Sequence, residues 1–189
     1  MKLNSFCCDL KNLDALKKQL FSQGYIKLQV QLPSKVKTWI EEKNYLALDQ
    51  YFLEIGKTGG ELFLLLNAFH AIEFIEHIIA IRTAPYDEDG IWHDDGSRAI
   101  AFSLSLNQNP STIDGGDLHF KQKKDSYEKS FINIIPPQEF GTCIIFLTGI
   151  WGYEHQVGMV TKGERIVIAG WGSIENHSTM KHNSTSFQK

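Results

Sequence analysis

The segment IWHDDGSRAIAFSLSLN, residues 91–107, joins two metal-binding residue types to a predicted β-strand. Apolar and small residues alternate over its later half, as they do in a strand with one buried face. His93 and Asp95 are two positions apart, and such residues project to the same side of an extended chain. The spacing therefore predicts that His93 and Asp95 reach one metal ion while Asp94 points away.

A second histidine and an arginine complete this pattern further along the chain. His155 follows sixty residues after Asp95, and Arg165 comes ten residues later. Two imidazoles and one carboxylate form a ligand set that suits non-haem Fe(II) and leaves coordination positions open. The planar guanidinium of Arg165 can bind a carboxylate through two parallel hydrogen bonds. The four side chains together indicate an iron site beside a cation that binds a carboxylate.

Short apolar segments separated by turns dominate the second half of the chain. Residues 142–147 and 164–171 read as buried strands, with Gly, Pro and polar turns around them. Such spacing favours an antiparallel sandwich or barrel. A closed barrel also brings distant strands together, as a site with ligands sixty residues apart requires.

Helical patterns dominate the first half. We predict helices over residues 12–21, 33–40 and 61–77, and strands over 25–32 and 78–82, from apolar periodicity. The expected organisation is a single domain over 1–175, with a supporting part (1–80) and a β core (81–175). Residues 176–189 are rich in Ser, Thr, Asn and His and are expected to be a disordered tail.

From Ile81 to Trp171 the chain resembles the 2-oxoglutarate- and Fe(II)-dependent oxygenases, in their prolyl-4-hydroxylase-like branch. Six motifs of that branch occur in the right order: His93-Asp94-Asp95, Leu104-Ser105-Leu106-Asn107, Gly115-Gly116-Asp117-Leu118-His119-Phe120, Pro137 with Gly141, His155, and Arg165. The resemblance implies a mainly β fold with flanking α-helices, whose core is a double-stranded β-helix (a jelly-roll, cupin-like).

The resemblance also implies the cofactors and the roles of the site residues. Fe(II) would be held by His93, Asp95 and His155, with O₂ and 2-oxoglutarate as co-substrates; a requirement for ascorbate stays open. Arg165 would bind the distal carboxylate of 2-oxoglutarate, helped by the hydroxyls of Thr161 and Ser105. Many relatives carry a tyrosine where Ser105 stands. The charges of Fe(II), Asp95 and 2-oxoglutarate leave one negative charge, which Arg165 neutralises in a poorly solvated pocket.

The predicted reaction is hydroxylation of an unactivated C–H bond with release of succinate and CO₂. Relatives that halogenate lack the carboxylate ligand, and Asp95 is present, although desaturation and demethylation stay open. Expected substrates are an amino-acid-like metabolite or a peptidyl side chain. The short chain leaves little room for a lid, which favours an exposed peptide or a small molecule enclosed by a partner subunit in a homodimer. The alternative function is a non-catalytic jelly-roll that binds a metal or ligand.

Composition excludes other classes. A net charge of −3 without a long basic run gives no footprint for nucleic acid. No apolar run is long enough for a membrane span, and no signal pattern opens the chain. Three cysteines, with Cys7 and Cys8 adjacent, do not form a disulfide framework. The reducing cytoplasm, which keeps iron ferrous, is the expected location.

Side chains near the metal-binding residues suggest how a substrate is recognised. Tyr86, Trp92, Trp151 and Tyr153 could form an aromatic mouth or could cap the ends of the sheet. The acidic run 87–89 is a candidate for attracting a cationic substrate group.

Overall fold

The computed structural model describes residues 6–8, 10, 12–123 and 132–174, with only the backbone described at residues 7 and 8. These residues form four α-helices: α1 (Leu13–Gln23), α2 (Ser34–Glu41), α3 (Tyr45–Gly56) and α4 (Glu61–Phe69). They also form eleven strands: β1 (Cys7–Cys8), β2 (Tyr25–Gln31), β3 (Phe74–Thr83), β4 (Ile100–Ser105), β5 (Asp114–Gly115), β6 (Leu118–Gln122), β7 (Asn133–Ile135), β8 (Thr142–Leu147), β9 (Tyr153–Val157), β10 (Val160–Lys162) and β11 (Glu164–Ser173).

Two antiparallel sheets enclose the core. The larger has the strand order β1-β2-β8-β4-β11-β3, and the smaller has the order β7-β6-β9, with β10 and β5 paired separately. Strands distant in sequence are neighbours in space, since β4 lies between β8 and β11. The predicted jelly-roll with flanking helices is confirmed.

The burial of β4 explains its central position. All six of its residues are buried, and small Ser and Ala side chains alternate with Ile, Phe and Leu. One face of β4 packs on the helical layer and the other faces the space between the sheets, so neither face is available to water. Small side chains on the inner face leave room for a cavity.

The helices support the larger sheet from outside. Leu48, Phe52 and Ile55 of α3 are buried, and α3 packs against β3. The helix α1 packs against β2 and β8. Because β2 itself joins the larger sheet beside β8, the N-terminal part and the β core share one hydrophobic core.

The predicted helix over residues 61–77 is wrong in its second half. The helix α4 ends at Phe69, and β3 begins at Phe74 and pairs with β11 over ten residues. Asn67 Oδ1 accepts a hydrogen bond from Ile72 N (3.1 Å) in the turn between them. Tertiary pairing here overrides an apolar pattern that suits a helix or a strand. His70 and His77 therefore do not share a helix face.

The other predicted N-terminal elements are confirmed, because α1, β2 and α2 lie where the periodicity placed them. The helix α3 was not predicted. The expected tail from Asn176 lies outside the described residues. Among the described helices, none combines the length and the apolar character needed to cross a membrane.

Replacing Phe120 with Ala tests the packing between the sheets. Phe120 is fully buried, stacks on Tyr153 at 4.8 Å between ring centroids, and contacts Phe146 edge-on at 5.8 Å. We expect the free energy of unfolding in urea to fall by about 3–5 kcal/mol, because the truncation leaves a cavity. Ile134→Ala on the paired strand is the control, since Ile134 is 63% exposed, and should cost at most about 1 kcal/mol. Equal losses for both variants would contradict this description of the core.

Candidate metal centre

Three metal-binding side chains converge at one end of the space between the sheets. His93 and His155 pair through two backbone hydrogen bonds, His93 N to His155 O (3.1 Å) and His155 N to His93 O (2.9 Å). One Asp95 oxygen lies 3.5 Å from His93 Nε2, and the other lies 3.7 Å from His155 Nε2. One donor atom from each residue lies within 4.8 Å of the other two. The arrangement fits a single ion bound by two imidazoles and one carboxylate.

Asp95 reaches this position through a turn, and the extended geometry expected from the sequence is wrong. Its backbone is left-handed (φ 59°), a conformation that Asp adopts more readily than most residues. Asp94 holds the turn, because its Oδ1 accepts from Gly96 N (2.9 Å) and its carbonyl accepts from Gly149 N (2.6 Å). Lys123 pairs with the Asp94 carboxylate at 2.5 Å on the outside. The turn directs Asp95 inward and Asp94 outward.

The protonation states of the three residues suit a cation. His93 Nδ1 is 2.7 Å from Ile91 O, so Nδ1 carries the proton and Nε2 is the free electron-pair donor. Burial, then the charge of His93, lowers the pKa of His155 to about 3, so its imidazole is neutral at neutral pH. Burial raises the pKa of Asp95, although a hydrogen bond from Trp171 opposes the shift.

Two buried polar atoms at the site have no hydrogen-bond partner within the described part of the chain. They are Asp95 Oδ2 and His155 Nδ1. An unpaired buried carboxylate oxygen is destabilising by several kcal/mol, order of magnitude, unless a cation compensates it. The carboxylate, together with the two imidazoles, therefore fits Fe(II).

A cavity of about 190 Å³ extends from His93 and His155 to Arg165. Arg165 lies on β11 and is 5% exposed, and its guanidinium makes no side-chain hydrogen bond or ion pair with any described residue. Burial, then the charge of Arg82, lowers the pKa of Arg165 to about 10, so the guanidinium stays protonated at neutral pH. A buried cation without a carboxylate is unfavourable by itself. The cavity thus offers a binding position for an anionic group.

Gly116 sets the approach of the chain to Arg165. Gly116 has φ +71°, and a Cβ built on it would lie 2.9 Å from Arg165 Cδ and 2.9 Å from Val160 Cγ2. A side chain at this position would displace the arginine. The Gly115-Gly116 pair forms the tight turn expected from the sequence, and Gly116 additionally makes room for Arg165.

Two of the predicted co-substrate residues do not face the cavity. Thr161 is exposed on β10 and donates to Asp114 O (3.2 Å), because the alternation of the strand turns Val160 inward and Thr161 outward. Ser105 is buried, but it donates to Gln138 O (2.6 Å) and accepts from Asn107 Nδ2 (2.9 Å). Ser103, two residues earlier on β4, lines the cavity instead. The assignments of Thr161 and Ser105 are corrected accordingly.

The aromatic mouth considered from the sequence is not formed by the four residues named for it. Tyr153 is buried against Phe120, and Trp151 packs edge-on against Phe21 at 5.1 Å. Trp92 stacks with His119 at 6.3 Å, and Tyr86 is 93% exposed. None of them lines the cavity, which is bordered instead by Trp171. Sequence reasoning had placed Trp171 in a buried strand without assigning it to the site.

The acidic run 87–89 makes structural contacts, and its role in attracting a cationic substrate group stays a prediction. Asp87 binds Arg82 and accepts from Val160 N (2.6 Å), and Asp89 Oδ1 accepts from Met159 N (2.8 Å). Arg98 pairs with Glu76 at 3.2 Å.

A larger groove lies elsewhere on the described chain. It has a volume of about 780 Å³, lies between α3 and β3, and contains none of the three metal-binding residues. Its histidine, His77, is paired with Asp49 (Nε2 to Oδ1, 3.1 Å). We place the functional site in the smaller cavity, because the convergent donors and the unpaired cation are there.

A jelly-roll with two histidines and one carboxylate at its mouth defines a class of mononuclear metalloenzyme. Residues 82–173 match the 2OG-Fe(II) oxygenase superfamily. These residues therefore form a 2OG-Fe(II) oxygenase domain, and the chemistry of this domain is that of an oxidoreductase that depends on Fe(II), 2-oxoglutarate and O₂. The predicted family and the prediction of an enzyme are confirmed.

Solved structures support the same fold. A prolyl-4-hydroxylase from Pseudomonas putida has a TM-score of 0.63 at 21% identity, covering 93% of this chain and 97% of that one. A Trichoplax adhaerens prolyl hydroxylase, solved with a hypoxia inducible factor peptide, has a TM-score of 0.59 at 15% identity (86% and 89% covered). A non-heme alpha ketoglutarate dependent carbocyclase from nogalamycin biosynthesis has a TM-score of 0.61 at 9% identity (86% and 85% covered). No curated protein matches in sequence.

Removal of any one donor should impair metal binding. We expect His93→Ala, Asp95→Ala or His155→Ala to weaken Mn(II) binding at least about 100-fold, because even changes beyond the direct ligands can cost 10–100-fold. Electron paramagnetic resonance of free Mn(II) during an anaerobic titration measures this. His119→Ala is the matched control, since His119 stacks on Trp92 outside the cavity, and should bind as the wild type does. Unchanged affinity in all three ligand variants would exclude this site.

Proposed function

We propose that His93, Asp95 and His155 bind Fe(II), and that Arg165 binds the distal carboxylate of 2-oxoglutarate. The bound metal, O₂ and 2-oxoglutarate supply the oxidant, and 2-oxoglutarate leaves as succinate and CO₂. The observation that carries the proposal is the buried guanidinium of Arg165, without an ion pair among the described residues, in the same cavity as His93 and His155.

Charge complementarity supports this placement of the co-substrate. The cavity wall carries a cation at Arg165. Fe(II) bound by the single carboxylate of Asp95 would leave a net positive charge at the metal centre as well. A dicarboxylate that spans the two neutralises both, in surroundings where an uncompensated charge is destabilising. Ser103 lines the cavity, and its hydroxyl is the one that we assign to this subsite in place of those of Ser105 and Thr161.

The remaining cavity wall favours an apolar target for oxidation. Ile78, Ala80, Val157 and Ala169 line it, and Ile78 is 51% exposed. We propose hydroxylation of an aliphatic C–H bond, because the Asp95 ligand is present and halogenation would require its position. The two prolyl hydroxylases of similar fold, one of them solved with a peptide, support an amino-acid-like or peptidyl substrate. We propose action in the cytoplasm, which keeps iron ferrous.

Arg165→Gln tests the co-substrate site. Removing a buried cation that pairs with a carboxylate costs about 2–5 kcal/mol, so 2-oxoglutarate should bind at least about 30-fold more weakly to the Mn(II)-loaded protein in calorimetry. Mn(II) affinity should stay unchanged. Lys162→Gln is the control, because Lys162 is exposed on the neighbouring strand and pairs only with Asp114 (3.7 Å) among the described residues. Wild-type affinity for 2-oxoglutarate in Arg165→Gln would remove the role assigned to this residue.

A substrate screen tests the reaction. Pools of amino acids, small metabolites and synthetic peptides are incubated with enzyme, Fe(II), 2-oxoglutarate and O₂, and analysed for succinate and for products that have gained one oxygen atom. We expect a pool with an apolar aliphatic side chain to give both in equal amounts. The Asp95→Ala variant should give neither. If no pool increases the release of succinate and no oxygenated product forms, the proposed substrate class is contradicted.

A further inference from the structure

Two arginines face each other across the strands that wall the cavity. Arg82 on β3 and Arg165 on β11 are direct cross-strand partners, and both line the cavity. Like charges in such a pair repel each other. The two side chains nevertheless differ in their surroundings, because Arg82 is fully paired and Arg165 is not.

The guanidinium of Arg82 is held by three groups. Its Nε is 3.0 Å from each carboxylate oxygen of Asp87, and its Nη1 donates to Val157 O (3.1 Å). Its Nη2 donates to the carbonyl of Glu88. These contacts leave Arg82 little capacity to bind a ligand itself.

Asp87 is a well-held carboxylate close to the cavity wall. Its side chain is 12% exposed, and it accepts a hydrogen bond from Val160 N (2.6 Å) in addition to those from Arg82. Burial alone would raise the pKa of Asp87, but the hydrogen bonds from Val160 and Arg82 lower it below the ordinary value. Asp87 therefore carries a full negative charge at neutral pH, and this charge also acts on Arg165.

We propose that Arg82 is a positioning residue that retains the Asp87 carboxylate, so that Arg165 stays unpaired and available to the co-substrate. Without Arg82, the Asp87 carboxylate would lie on the cavity wall with Arg165 as the facing cation. Asp87 would then neutralise Arg165 and compete with the carboxylate of 2-oxoglutarate. This inference rests on the proposed role of Arg165.

The charges of the wall agree with this role. Arg82 and Asp87 cancel each other, which leaves Arg165 as the single uncompensated cation of the cavity within the described chain. One such cation matches the one distal carboxylate of 2-oxoglutarate. Asp87, one of the acidic residues that the sequence suggested for attracting a cationic substrate group, is thus the counter-ion of Arg82.

The contacts of Arg82 and Asp87 also hold the segment before His93 in place. This gives a competing explanation for the pair, in which it only stabilises the local fold. Gly90 N donates to Val157 O (2.8 Å), and Gln156 Nε2 donates to Gly90 O (2.7 Å), beside the Arg82–Asp87 pair. If the pair only fastened this segment, loss of either partner would impair the site equally. Separation of the two explanations requires a double-mutant cycle.

The cycle compares Arg82→Gln, Asp87→Asn and the double variant by calorimetric titration of 2-oxoglutarate into Mn(II)-loaded protein. We expect Arg82→Gln to weaken binding about tenfold, a coupling typical of charged neighbours. Asp87→Asn should bind at least as tightly as the wild type, and the neutral double variant should return to within about threefold of it. Mn(II) affinity and the unfolding temperature are measured for each variant, with Lys162→Gln as the charge control.

Recovery of 2-oxoglutarate affinity when Asp87→Asn is added to Arg82→Gln would support the proposal. If the pair only held the segment before His93 in place, removal of the second partner would not restore the affinity. Equal weakening by both single variants, without recovery in the double variant, would overturn it. So would wild-type binding in Arg82→Gln. If Arg165→Gln leaves 2-oxoglutarate affinity unchanged, the proposed role of Arg165 at the co-substrate site is contradicted. That variant is measured separately from the double-mutant cycle, so this result is distinct from one that contradicts only the role of Arg82.

Discussion

Two backbone hydrogen bonds between His93 and His155 close the candidate metal centre. They join the segment that precedes β4 to β9 of the smaller sheet, and so bring together the proposed ligands from distant parts of the chain. Asp95 completes the set only because its backbone is left-handed and the Asp94 carboxylate stabilises the turn. The site is therefore held by backbone pairing and by a strained turn, a combination common where geometry serves chemistry.

Buried charge is the second constraint on the cavity. The Asp95 carboxylate and the Arg165 guanidinium are both buried, and neither has an ion-pair partner of opposite charge other than the neighbouring histidines among the described residues. Arg165 lines the cavity and Asp95 lies beside its two histidines, where a dicarboxylate and a cation would compensate them. Stability is thus lower than a fully paired interior would give, and ligand binding recovers it. The Arg82–Asp87 pair lies beside them. There the positive charge of Arg82 is compensated by a carboxylate of the chain itself, so it does not require a ligand.

The errors of sequence reasoning have specific physical causes. Thr161 was assigned because it lies on the same stretch as Arg165, and Ser105 because many relatives carry a tyrosine at its position. Strand alternation turns Thr161 to solvent, however, and hydrogen bonding engages Ser105. A shift of one or two residues along a strand changes the face or the neighbours of a side chain. The apolar run 61–77 was assigned to one helix because its periodicity does not distinguish a buried helix from a strand. The pairing of β3 with β11 over ten residues decides between them.

The amino-acid sequence by itself indicated the chemistry: two histidines and one carboxylate that suit Fe(II), a cation that accompanies them, and an antiparallel sandwich or barrel. These follow from residue type, spacing and alternation, which are local properties of the chain, whereas the jelly-roll was implied by the resemblance to a family. Only the tertiary structure decided that Asp95 reaches the site through a left-handed turn, that Ser103 faces the cavity, and that Asp87 belongs to Arg82. Each of these depends on strand register and on contacts between residues far apart in sequence, where burial and charge compensation select one arrangement from several that the local pattern allows.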